Sequence, residues 1–69
     1  MIEDYENAII VMEKTAELKP NYADAHFALA LMYIDIGEND KAKDRLNFIL
    51  REISPDDPKV KRELEELGP

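Results

Sequence analysis

A single imidazole, His26, is the one side chain in this sequence suited to proton transfer near neutral pH. Its neighbours at i+3 and i+4 are Leu29 and Ala30, so no helical partner stands ready to share a metal ion with it. The chain has no cysteine, and its only aliphatic alcohols are Thr15 and Ser54, neither near His26 in sequence. Nucleophilic catalysis needs an alcohol or thiol within reach of a base. Two acidic pairs, Asp56-Asp57 and Glu65-Glu66, invite a divalent cation. A calcium loop, however, spaces several oxygen ligands around a glycine bend, and no such pattern follows either pair. The two glycines, Gly37 and Gly68, stand apart at helix ends, which excludes a phosphate-cradling loop. The residues therefore predict no enzyme, no cofactor and no metal, with His26 packed between helices.

Four helical segments account for the apolar spacing. The first runs from about Glu3 to Leu18, with Glu3, Asp4 and Glu6 in its first turn and Pro20 beyond its end. Tyr5, Ala8, Ile9, Met12 and Ala16 form its stripe, while Ile10 and Val11 fall outside and widen the apolar surface. Asn21 is placed to cap a second helix, about Tyr22 to Ile36, with Asp24 three residues on and Gly37 to end it. Apolar almost all the way round, that helix must be enclosed on several sides. A third, about Asp40 to Ile53, turns Ala42, Leu46, Ile49, Leu50 and Ile53 inward. Asp57 caps the fourth, about Pro58 to Leu67, whose stripe of Val60, Leu64 and Leu67 has a highly charged back.

Length and charge bound the function. A chain of 69 residues holds one domain, of marginal stability unless something beyond its own core supports it. The net charge of −7 is spread along the chain with no basic patch, which disfavours nucleic acid and anionic membranes as partners. The apolar runs are too interrupted to span a bilayer, and a soluble, cytoplasmic protein is expected.

At an offset of 34 residues the chain repeats itself: Ala8 falls on Ala42, Met12 on Leu46, and Pro20 on Ser54 just before Pro55. The pattern His26-x2-Leu29-Ala30-x2-Tyr33, then Ala42-x3-Leu46, then Ser54-Pro55, resembles a tetratricopeptide repeat. Tyr5-x2-Ala8-x3-Met12 ending at Pro20 looks like the second helix of a preceding unit. Departures are His26 where that family favours tryptophan, Ala30 in place of glycine, and a proline displaced by one residue. The resemblance implies an all-α fold of four antiparallel helices in one domain, residues 1–69. Within it, residues 1–20 are a half repeat, 21–55 a full repeat and 56–69 a capping helix.

It also implies a protein-interaction module whose partner is a protein or peptide. Phe27, Leu31 and Ile34 recur at i, i+4, i+7 on the second helix, flanked by Asp24 and Asp35. In the family that side lines the concave groove, so the resemblance implies a partner surface there, acid-rimmed and unlike the basic carboxylate clamp of chaperone-binding members. An apolar segment carrying basic residues suits it. The alternative is that the first or last helix of the same chain covers these side chains. Ile2, Tyr5, Ile9 and Met12 form the face on which a preceding helix would pack in the family. A second copy, giving a homo-oligomer, or the remainder of a larger protein would cover it.

Overall fold

Capping chemistry and apolar spacing set the element boundaries of the computed structural model, which describes residues 3–68. Its helices are α1 (Glu3–Leu18), α2 (Ala23–Asp35), α3 (Asn39–Phe48) and α4 (Pro58–Leu67), with a π-helical turn, Ile49–Ile53, between the last two. No strand occurs among the described residues. The fold is all-α, as the sequence predicts.

The turn from α2 to α3 shows how a sequence signal becomes geometry. Gly37 takes φ +84°, its N–H donates to Ile34 O at 3.1 Å, and Glu38 N–H reaches Tyr33 O at 2.8 Å. These two bonds make a Schellman motif, which satisfies the last carbonyls of α2 and needs a residue free to be left-handed. At the start of α4, Asp57 accepts from Lys59 N at 3.0 Å and Val60 N at 3.5 Å, with Pro58 in the first turn.

Two boundaries differ from the sequence reading. Tyr22, not Asn21, occupies the cap position of α2, and no side chain caps that helix. Tyr22 N–H instead closes a turn onto Lys19 O at 3.0 Å, and Asp24 sits in the first helical turn. The third helix does not run on as α-helix to Ile53: beyond Phe48 it widens, and Ser54 N–H donates to Ile49 O, five residues back, at 2.7 Å. Ser54 precedes Pro55, which pushes it out of helical backbone angles, to φ −143° and ψ 89°.

Packing follows from small residues at the crossings. Ala25, Ala30 and Ala42 are fully buried, and Leu29, Leu46, Ile49 and Val60 fill the space between helices. α2 packs on both α1 and α3, and α3 packs on α4, while α1 and α3 scarcely touch each other. The helices thus alternate between two staggered rows, α1 and α3 in one, α2 and α4 in the other. The backbone spans 33 × 28 × 15 Å. So thin a slab leaves two broad faces for other molecules.

Candidate protein-binding surfaces

α2 is held by neighbours on its His26–Leu29–Tyr33 side, so its opposite side is what the second row offers to solvent. Leu31 lies there at 38% exposure, with Asp24 and Asp35 exposed beside it. Phe27 and Ile34 are half-buried, packed against the core at the edge of the same face. Lys59, from the first turn of α4, places its ammonium 5.3 Å from the centre of the Phe27 ring. A cation over an aromatic face is a favourable contact, and here it covers part of Phe27.

Asp35 has a second role. Tyr5 Oη donates to its Oδ2 at 2.7 Å, tying α1 to the end of α2. That hydrogen bond, and the negative charge of Asp35, raise the pKa of the Tyr5 hydroxyl. Two residues assigned from sequence to different surfaces therefore meet in one contact.

The α1 face differs in part from its expectation. Ile9 is buried within the chain and belongs to the core, because α2 covers the stripe that carries it. Met12 is half-buried against the same core. Ile2 lies outside the described residues. The open apolar side chains of α1 are instead Ile10 at 61%, Val11 at 62% and Leu18 at 75% exposure. The sequence signalled two of these, Ile10 and Val11, as lying outside the main stripe.

His26 sits between helices, 2% exposed. Its Nε2–H donates to Pro20 O at 2.9 Å, and its Nδ1 accepts from Arg45 Nη1 at 3.3 Å, a pair of contacts that fits the neutral ring protonated on Nε2. Its ring lies 4.6 Å from that of Phe48. With both nitrogens engaged, the residue joins three segments of chain. Nearby, buried Tyr33 donates its hydroxyl to Glu13. Burial, then this hydrogen bond to a carboxylate, pushes its pKa up to about 12.

Sequence reasoning missed a groove between α1 and α3, above the buried side of α2. About 400 Å³ of it is lined by Glu13, Tyr33, Lys41, Arg45 and Phe48 among others. Glu13, Arg45 and Phe48 also line an adjoining hollow of about 300 Å³ that reaches His26 and Pro20. Glu13, Tyr33 and Lys41 line a third, of about 290 Å³, that reaches Ile10 and Ile36. The charges of Glu6, Glu13 and Glu17, spaced to share one side of α1, were the available signal.

No helix among the described residues is long and apolar enough to cross a membrane. No curated protein and no solved structure matches the sequence. A family model described as tetratricopeptide repeat matches residues 3–64, nearly the whole of the four-helix array. With its alternating helices, buried alanines and prolines closing the units, the chain belongs to the tetratricopeptide repeat family.

Proposed function

We propose that this chain is a scaffold or adaptor element that holds a partner segment on the outer face of α2, with Phe27, Leu31 and Ile34 as the contact surface and Asp24 and Asp35 as its rim. Tetratricopeptide repeats are interaction modules that bind proteins or peptides. The observation that carries the reading is Leu31, a large aliphatic side chain left in the open between two exposed acids on a helix otherwise enclosed. An apolar helix or extended segment with lysine or arginine at its edges matches this pattern. Lys59 resting on Phe27 is an example within the chain of the contact such a partner makes. In this proposal residues 1–20 serve as a half repeat, 21–55 as a full one and 56–69 as the closing helix. The protein acts without catalysis, nucleic acid or membrane.

Peptides selected from a random library on the immobilised chain test the proposal. Enrichment of apolar sequences with basic residues is expected, and Phe27→Ala and Leu31→Ala should weaken their binding while helicity is kept. Unchanged binding in both variants would refute it, and loss of folding would show these side chains to be core.

A second reading, self-assembly with no separate ligand, draws on Val11 and Leu18, which stand open on α1. A Val11→Asp, Leu18→Asp double variant that turns an oligomer into a monomer in sedimentation would favour it. A wild-type chain that sediments as a monomer at all concentrations would remove it.

A further inference from the structure

The groove between α1 and α3 lies on the far side of α2 from the proposed partner face, and its walls carry opposite charge. α1 contributes Glu6, Glu13 and Glu17 and no base. α3 and the π turn contribute Lys41, Arg45 and Arg51, with Asp44 among them and Glu38 just before α3. Among the described residues no ion pair joins the two walls. Arg51 is bonded to Glu52 on its own turn, Lys41 lies over the Tyr33 ring, and Arg45 is held by His26. The floor is aromatic at the centre, with Tyr33 and Phe48, and aliphatic at one end, where Ile10 and Ile36 are exposed.

The two helices run in the same direction, since Glu6 shares one end of the groove with Lys41 and Glu17 shares the other with Phe48. From Glu6 to Glu17 is eleven residues, or about 16 Å at 1.5 Å each. An extended chain covers that length with about five residues at roughly 3.3 Å each. The charge is also uneven along the groove: three carboxylates, Glu6, Glu13 and Glu38, face one base, Lys41, at the aliphatic end, whereas at the centre Lys41, Arg45 and Arg51 outnumber Glu13 and Asp44, and Glu13 and Glu17 flank Arg45 at the far end.

We propose that this outer groove is a second docking site, for an extended segment of a partner protein that sets a basic and an aliphatic residue at the Ile10–Ile36 end and acidic residues against Arg45 and Arg51. A long basic side chain lays its methylene stem on Ile10 and Ile36 and its charged head among the carboxylates. An acidic side chain two or three residues on meets Arg45, for which the chain itself supplies no carboxylate in ion-pair contact among the described residues. This unevenness fixes the direction of the segment, because reversing its charges sets like against like at the aliphatic end and at the centre. The site is independent of the α2 outer face, so one chain holds two segments at once, on opposite sides of one helix.

The test uses two end-blocked, fluorescently labelled peptides, Lys-Leu-Ala-Glu-Ser-Glu and its charge-reversed counterpart Glu-Leu-Ala-Lys-Ser-Lys, titrated with the whole chain and read by anisotropy. The first should bind about tenfold more tightly than the second, as several partly exposed charge pairs acting together allow, and less so as salt is raised. Arg45→Gln, at the centre of the groove, should narrow that preference, and Arg45→Gln with Glu6→Lys, an exposed change at the aliphatic end, should abolish it, with melting curves confirming that both variants fold. Leu31→Ala should leave it unchanged, which separates this site from the α2 face. Equal binding of both peptides, or binding of neither, overturns the proposal. So does loss of binding in Leu31→Ala, which would place the segment on the other face. A wild-type dimer that Lys41→Glu dissociates would assign the groove to a second copy instead.

Discussion

Tyr33 shows at the residue scale how one buried hydroxyl couples packing to pH. In the folded chain it keeps its proton until about pH 12, because burial and the Glu13 carboxylate both disfavour the phenolate. In the unfolded chain a tyrosine gives the proton up near pH 10. Between those values the unfolded state has lost a proton that the folded state retains, so raising the pH favours unfolding. The stability contributed by Tyr33 is therefore complete below pH 10 and disappears between pH 10 and about 12. Tyr5, raised by Asp35, acts in the same direction, so Tyr5→Phe is the proper background. Denaturant melts across this range should show a steeper alkaline loss for Tyr5→Phe than for Tyr5→Phe with Tyr33→Phe. Equal slopes would contradict the burial of the hydroxyl. None of this coupling was legible in the sequence, where Tyr33 stands only as a position of the repeat pattern. The contact depends on Glu13, twenty positions away and ordinary in its local context.

Element boundaries were legible where one residue type has one use. Gly37 and Asp57-Pro58 were read correctly because only glycine is at ease with φ +84° and because an aspartate before proline makes a natural cap. No atom lies within 4 Å of a Cβ built on Gly37, so Gly37→Ala costs only the left-handed strain, about 1–2 kcal/mol, measurable as a lowered midpoint in urea. Loss below a few tenths of a kcal/mol would mean that the turn relaxes into another shape. Asn21 was misread because a suitable capping residue does not cap when a tight turn, here Lys19 to Tyr22, fixes the chain first. The π turn was hidden because a wide turn and an α turn present the same apolar residues inward until Pro55 intervenes. Ala42, fully buried where α3 packs on α2, was legible as an inward residue of the repeat pattern. Ala42→Leu should destabilise by about 1–3 kcal/mol through overpacking. A neutral effect in melts would show that the crossing is looser than its geometry.

At the scale of the whole molecule, two staggered rows of helices place most of the chain near a surface. A slab 15 Å through has room for only a small core, and so short a chain gains stability from what binds it. The repeat architecture was legible from the offset between Ala8 and Ala42 and from the closing prolines. The surfaces were only half legible. Periodicity shows which residues share a side of one helix, but not which sides a neighbour will cover. Ile9 was placed on an open face because the sequence does not show how far α2 reaches over α1. The outer groove escaped notice because its walls come from segments about 30 positions apart in sequence and meet only over α2.

The central claim is that the outer face of α2 receives the partner. Backbone amide shifts in a nuclear magnetic resonance titration of the chain with a library-selected apolar, basic peptide test it most directly. The account predicts that the largest changes fall on Asp24, Phe27, Leu31, Ile34 and Asp35 and saturate with a single affinity. Changes centred on Val11 and Leu18, with the α2 residues unmoved, would contradict it.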